Sequence, residues 1–205
     1  AFRSLQEFFR RPLRAGARPV AAAGLVWPCD GRIVTCGPVR AGRLEQVKGH
    51  DYRLTDLLGD QELAAALADG HQATIYLAPG DYHRVHAPFA GHLERIAALP
   101  GTLFPVNPPA VRCIGELFAR NARWVFHCRL PDGEAAAVVM VGAYNFGGTT
   151  PSREPGHMAA GDELGRFGFG STVVALVGRG AGPFAELPPG TAVRMGEAAT
   201  GGSPP

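Results

Sequence analysis

The residues best suited to covalent chemistry in this chain are a consecutive glycine and serine, Gly170 and Ser171. Because glycine has no Cβ, its carbonyl is easily approached and twisted. If a base removes the hydroxyl proton of Ser171, the oxygen can attack that carbonyl and convert the amide into an ester. Elimination at the serine α-carbon would then leave dehydroalanine, which hydrolyses to a pyruvoyl group. The alternative is structural: a β-bulge or tight turn that leads into an apolar strand.

The glycine-rich segment that holds this pair, residues 165–172, fits none of the three loops that it superficially resembles. A dinucleotide-binding loop follows a strand and opens a helix, whereas this segment precedes a strand and has a different glycine order. A Walker loop requires a lysine before its hydroxyl residue, and this segment contains no lysine. A hydrolase nucleophile elbow requires glycine two residues after the serine, where Val173 stands. Phosphate binding and hydrolase chemistry are therefore not indicated.

Two histidines in the segment 81–86, His83 and His86, are candidate general bases. Residues three apart lie on opposite faces of a strand but close together in a turn, so the local conformation decides their roles. Zinc needs three or four ligands, and no further ligand stands at a familiar spacing, so we predict no metal site. Hydrogen-bonded structural histidines remain the alternative. Asp30, in a Pro-Cys-Asp-Gly turn, either bonds its own backbone or orients a histidine base.

These residues need short strands to position them, and the sequence supplies several. Strands are predicted where Val-rich or alternating segments are bounded by Gly or Pro, at 32–36, 72–78, 91–98, 122–130, 136–142 and 171–177. Residues 20–27 are predicted to form a further strand, in a hairpin or corner with 32–36. Helices are predicted at 51–58 and at 60–68 with Asp60 as N-cap, and a loop at 149–161. We expect a mainly β (α+β) fold, a single compact β-sandwich or barrel-like domain with a few short helices.

The composition supports a globular domain. Hydrophobic residues make up 46% and charged residues 19% of 205 residues, which excludes a disordered chain. No apolar run reaches the roughly eighteen residues that a membrane-spanning helix needs. The 28 glycines and 18 prolines favour short elements joined by turns. The four cysteines form no CxxC pair, so reduced thiols are expected.

The positive charge is concentrated in an N-terminal arm, residues 1–19, which is rich in arginine and has apolar residues at roughly helical spacing. Such an arm suits the surface of an anionic membrane, because apolar burial and attraction to acidic lipids add. Packing of its aromatic side chains on its own domain is the alternative. At the other end, residues 196–205 are Gly, Ala, Ser and Pro-rich, and we expect a flexible tail there.

Seven segments of the chain, in the same order, resemble the phosphatidylserine decarboxylase family. They are residues 8–11 with 16–19, 28–31, 48–52, 76–86, 101–107, 117–121 and 165–172. The resemblance implies a self-cleaving, pyruvoyl-dependent decarboxylase that converts phosphatidylserine into phosphatidylethanolamine and CO2 through a Schiff base. The pyruvoyl group would be the only cofactor and would form from Ser171, with residues 20–195 as the catalytic domain.

The resemblance also implies individual roles. Asp30, His86 and Ser171 would form the self-cleaving triad, with His86 as base and Asp30 orienting it. The cut would fall between Gly170 and Ser171, and His83 would serve the decarboxylation. Lys48 and His50 could approach the head group, although surface or structural roles are equally open.

The partners that the resemblance implies are phosphatidylserine and an anionic membrane surface at the cytoplasmic face of the cell membrane. The α and β fragments are expected to stay associated, a homodimer is compatible with this assignment, and no nucleic-acid partner is expected. Two other functions remain open. One is a lipid-surface binding module that keeps the fold without maturing, and the other is a histidine-dependent metallohydrolase, which lacks a third ligand.

Overall fold

The computed structural model describes residues 4–47, 49–143, 149–168 and 171–201. Short strands dominate these ranges, in the order β1 Gly31–Pro38, β2 Arg43–Val47, β3 His50–Arg53, β4 His71–Leu77, β5 Arg84–His86, β6 Gly91–Leu99, β7 Arg123–Arg129, β8 Ala135–Gly142, β9 Thr150–Pro151, β10 Gly156–Met158, β11 Glu163–Arg166, β12 Ser171–Val177 and β13 Ala192–Val193. The helices are short: α1 Leu5–Phe9, α2 Leu54–Leu58, α3 Gln61–Ala66, α4 Pro108–Cys113 and α5 Leu117–Arg120, with a 3-10 turn at Arg179–Ala181. The predicted mainly β fold with a few short helices is confirmed.

An eight-stranded antiparallel sheet forms the centre, in the order β10-β6-β7-β8-β12-β4-β1-β13. Within the described ranges its edge strands, β10 and β13, do not pair with each other, so the sheet stays open rather than closing into a barrel. A three-stranded sheet, β5-β11-β9, and a two-stranded hairpin, β2-β3, complete the strands.

Strand β12 lies in the middle of the central sheet and is covered on both faces. Val173, Ala175 and Val177 belong to the core that includes the three-stranded sheet, whereas Val174 and Leu176 belong to the core under the hairpin and the helices. All seven residues are buried, which explains why the strand is a nearly continuous apolar run rather than an alternating one. By the two-residue alternation of strands, the serine that opens β12 faces the three-stranded sheet.

The prediction of a strand at 20–27 is wrong. Only Val26 forms a bridge there, with Ala198, and the backbone N–H of Trp27 donates to the carbonyl of Glu197 at 2.9 Å. The backbone of this segment is satisfied by distant parts of the chain, so no hairpin forms with β1, which pairs with β4 and β13 instead.

The prediction of a helix over 51–58 is half wrong, because β3 occupies its first residues and the helix begins at Leu54. Tyr52 is fully buried in the hairpin with β2, and this burial favours strand over helix. The second predicted helix is confirmed, with the Asp60 side chain accepting from the Leu63 amide at 2.9 Å. Residues 149–161, predicted as a loop, contain the short strands β9 and β10.

The two ends of the described chain pack against the domain. In the arm, α1 forms within the segment whose apolar residues have helical spacing, and Phe9 is 6% exposed. In the segment predicted as a tail, Ala199 is fully buried and donates its amide to Leu25, while Thr200 bridges to Phe184. Among the described residues, no helix is long and apolar enough to cross a membrane.

Candidate functional site

The candidate site forms where the end of β4 meets the start of β12. Ser171 lies opposite Leu77 in the sheet register, and the chain then turns through residues 78–82 into β5. The carboxylate of Asp81 accepts from the Ala78 amide at 2.7 Å, which closes this turn. The Phe167 amide donates to the carbonyl of His83 at 2.9 Å. The histidine segment is therefore tied to both sides of the candidate cleavage position.

His83 is a neutral imidazole with one unused nitrogen. Its Nδ1 lies 2.8 Å from the carbonyl oxygen of Asp81, and since a carbonyl can only accept, Nδ1 carries the proton. Its Nε2 is buried and has no hydrogen-bond partner in the described part of the chain. The ring of Phe9 covers the imidazole, with 3.8 Å between the ring centroids. Burial lowers the pKa of His83 to about 4, so Nε2 bears a free lone pair at neutral pH.

His86, in contrast, has both nitrogens occupied. Nδ1 donates to the carbonyl of Gly161 at 2.8 Å, which leaves Nε2 as the acceptor of the Tyr82 hydroxyl at 3.0 Å. The two rings stack with centroids 5.7 Å apart. Burial lowers the pKa of His86 and favours the neutral form. The imidazole is thus fixed in one tautomer by two neighbours.

Ser171 is fully buried, and its hydroxyl oxygen has no hydrogen-bond partner among the residues that the structure describes. A buried hydroxyl without a partner costs roughly 1–3 kcal/mol, so such a group calls for an explanation. No hydrogen bond joins it to His83 or His86 in the described ranges. Gly170, the other half of the predicted cleavage site, lies outside the described residues.

The expected contact between Asp30 and His86 is not present. The Asp30 carboxylate forms a two-pronged ion pair with Arg18 and accepts from the Met195 amide at 2.9 Å. The carbonyl of Gly161, rather than Asp30, holds the proton of His86 Nδ1. The turn that holds Asp30 still reaches the site through its backbone, because the His86 amide donates to Pro28 at 2.8 Å.

Of the two residues expected near a head group, His50 is not brought to this site. Lys48 lies outside the described residues. His50 is exposed at the start of β3, in the hairpin that covers the opposite face of the central sheet. It borders a separate cavity of about 950 Å³, whose lining includes Val47, Tyr76 and Val106.

Sequence reasoning missed three neighbours of the histidines, namely Phe9, Tyr82 and Gly161. Tyr82 stands four residues before His86, so the spacing of the motif could have suggested the contact. The backbone carbonyl of Gly161 lies 75 residues away in the chain and carries no signal in residue type. In the described ranges, no three His, Cys, Asp or Glu side chains are grouped to hold a metal ion.

Comparison with known proteins gives a consistent result. A family model described as phosphatidylserine decarboxylase matches residues 5–201. A phosphatidylserine decarboxylase proenzyme of Chromobacterium violaceum is 43% identical over 97% of this chain and 78% of its own length. Proenzymes of the same description from Azoarcus sp. strain BH72 and Anaeromyxobacter sp. strain K are 45% and 44% identical, over 96% of this chain and 75% and 77% of their own lengths.

Proposed function

Because this chain belongs to the phosphatidylserine decarboxylase family, we propose that it is a self-cleaving proenzyme that converts phosphatidylserine into phosphatidylethanolamine and CO2. The observation that carries the proposal is the buried Ser171 hydroxyl, which has no partner among the described residues and lies at the first residue of a strand that is paired on both sides. A hydroxyl kept away from water and from competing hydrogen bonds is suited to attack the preceding carbonyl.

In maturation, His86 takes the proton of the Ser171 hydroxyl. Nε2 is the receiving atom, because Nδ1 already carries a proton and donates it to Gly161. The hydroxyl of Tyr82 occupies Nε2 in this structure and must give way. The freed oxygen then attacks the carbonyl of residue 170, the departing amine takes the proton from His86, and the amide becomes an ester. Loss of the Ser171 α-proton to a base expels the carboxylate of residue 170 and leaves dehydroalanine, which water hydrolyses to a pyruvoyl group and ammonia.

The surroundings of Ser171 fit a pyruvoyl group formed from it. Both histidines are buried, Phe9 covers His83, and His83 Nε2 has no hydrogen-bond partner among the described residues. A pyruvoyl carbonyl supplies the electron sink that a departing carboxylate requires. His83 Nε2 is the atom that we assign to proton transfer at the substrate α-carbon, which must take up one proton where CO2 has left.

The two products of the cut stay together through the central sheet. After cleavage, β12 belongs to the C-terminal α fragment, whereas β4 and β8 belong to the β fragment, and β12 pairs with each of them over seven residues. For the membrane partner, we propose that the arginine-rich arm approaches the anionic cytoplasmic face of the cell membrane, where the lipid substrate lies.

Ser171→Ala tests the proposal, with Thr172→Ala as the matched control. Thr172 also has a buried hydroxyl without a partner in the described ranges, but it lies on the other face of β12. We expect Ser171→Ala to remain one chain and to release no CO2, whereas Thr172→Ala should be cut. The measurement is intact mass under denaturing conditions, before and after borohydride, together with CO2 release from phosphatidylserine micelles. A wild-type protein that persists uncut, or an active Ser171→Ala variant, would overturn the proposal.

A further inference from the structure

A second feature adjoins His83: a cavity of about 400 Å³ surrounded by positive charge. Four guanidinium groups and a single carboxylate line it, together with small or polar residues; the lining is Ser4, Glu7, Arg10, Arg11, Pro12, Arg84 and Arg166. A space of this size accommodates a small ligand. None of the catalytic roles assigned above uses these arginines.

Two of the arginines are held in place by the fold. Arg84 donates through Nε and Nη2 to the carbonyl of Arg10, at 3.1 and 2.9 Å, and through Nη1 to Glu163 at 2.7 Å. Arg166 stands opposite Arg84 in the register of β5 and β11, and its Nε lies 3.6 Å from the same Glu163 carboxylate. The Glu163 carboxylate thus forms ion pairs with two arginines, so the net charge around the cavity remains positive.

The crowding of like charges has a cost. Burial and the nearby charge of Arg166 lower the pKa of Arg10. Glu7 is the only carboxylate in the described lining, against four guanidinium groups. Such an arrangement becomes favourable when an anion enters the cavity, because each attraction is strengthened by partial exclusion of water.

The cavity is coupled to His83 from two directions along the chain. Arg84 directly follows His83, and Arg10 directly follows Phe9, whose ring packs on the imidazole. Arg11 is close enough for its charge to contribute to the lowered pKa of His83. An anion bound among these arginines would therefore lie near the segment that holds His83, within electrostatic reach of its imidazole.

We infer that this cavity binds the phosphodiester of the substrate head group, with Arg166 and Arg11 as its direct ligands and Arg84 as a positioning residue. The inference rests on the proposed function, because it assigns a subsite to the same substrate. Guanidinium groups bind phosphate oxygens through paired, charge-assisted hydrogen bonds, and a phosphate anchored here would leave the amino acid end of the head group beside His83.

Arg166→Gln is the primary test, and Arg129→Gln is its control. Both arginines lie on strands beside a glutamate, and Arg129 pairs with Glu94 outside the cavity. Loss of a charge-assisted contact should raise KM for phosphatidylserine in mixed micelles about ten-fold in Arg166→Gln, with kcat changed less than two-fold. Cleavage should remain complete by mass, and Arg129→Gln should match the wild type. Arg11→Gln provides a second variant outside the sheets, with the same expected change in KM.

Competition experiments distinguish the sources of the anion. Glycerophosphoserine should inhibit the wild type competitively and lose most of its effect on Arg166→Gln, whereas inorganic phosphate should compete weakly and free serine should not respond to the substitution. Unchanged KM in both Arg166→Gln and Arg11→Gln, an equal rise in Arg129→Gln, or inhibition by inorganic phosphate alone would overturn the inference. Failure of the proposed function looks different, because the wild type itself would then lack cleavage or CO2 release.

Discussion

The two histidine environments differ more than their spacing suggests. Both imidazoles are buried and neutral, yet His86 is held by a hydrogen bond on each nitrogen, whereas His83 lies beneath an aromatic ring and its Nε2 has no partner in the part of the chain that the structure describes. A base that acts once, during maturation, can start with both nitrogens hydrogen-bonded, because one of these bonds has to break only once. A group that acts in every turnover needs a nitrogen that substrate can reach without breaking a protein contact. The difference supports the proposal that the two histidines serve separate reactions.

The strongest test of this difference is to remove each imidazole in turn. His86→Ala should remain an uncut chain, because it loses the base for Ser171. His83→Ala should be cut, yet its CO2 release should fall by about 10² to 10⁴, the usual contribution of a positioned acid or base. Intact mass and CO2 release measure the two reactions independently.

The exposed His92, on β6, provides the control substitution, and His92→Ala should resemble the wild type in both measurements. Thermal unfolding of each variant checks that the fold survives. If His83→Ala also stayed uncut, or if His86→Ala matured at the normal rate, the division of labour between the two histidines would be refuted.

The next largest effect concerns the aromatic cover of His83. Phe9→Ala should admit water and raise the pKa of His83 from about 4 toward its ordinary 6.5. Titration of the histidine ring protons by NMR measures this directly. The wild-type resonance should stay neutral throughout pH 5 to 8. Phe8→Ala, which removes the 46% exposed neighbour, should leave the titration unchanged.

The lowered pKa of His83 also makes the stability of the fold depend on pH. Since the folded-state pKa of His83 lies below that of the unfolded chain, the unfolded chain binds more protons between about pH 4 and 6.5. The wild type should therefore lose stability as pH falls through this window, and Phe9→Ala should show a shallower loss. Identical titration of His83 in Phe9→Ala and the wild type would contradict the proposed role of the ring.

The smallest effect is expected at the hydroxyl that touches His86. Tyr82→Phe keeps the stacked ring but removes the donor to Nε2, while Gly161 still sets the tautomer. We expect cleavage about five-fold faster, equivalent to about 1 kcal/mol, because the hydrogen bond that must break before Nε2 takes the serine proton is no longer there. The rate at which the α fragment appears on denaturing gels measures it. Tyr76→Phe, a change on the other face of the sheet, should cleave at the normal rate, and slower cleavage in Tyr82→Phe would contradict the requirement that the hydroxyl give way.

Local pattern predicted several of the elements but not their partners. The run from Ser171 to Val177 predicts a strand because every residue in it suits a buried sheet, and Asp60 predicts a helix start because its side chain caps the amide of Leu63. Pairing depends on distant residues. Gly31 meets Val193 in the sheet, and no local signal encodes that contact.

The site shows the same division. Residue chemistry and motif order suggest His83, His86 and Ser171, but the partners of the histidines are largely backbone atoms, such as the carbonyls of Asp81 and Gly161. Every residue carries such a carbonyl, so sequence does not distinguish them. The expected link from Asp30 to His86 is not seen in this structure, in which Arg18, a residue on the arm, offers the carboxylate a charged partner.

The double pairing of β12 has a consequence for how the matured protein unfolds. Once the backbone is severed, the C-terminal piece is held only by non-covalent contacts, so unfolding separates two molecules and becomes dependent on concentration through mass action. The precursor can refold as a single chain, whereas the processed form must first find its complement. After processing, the lifetime of the folded protein therefore depends on how slowly the two fragments dissociate, rather than on the reversible folding of one chain.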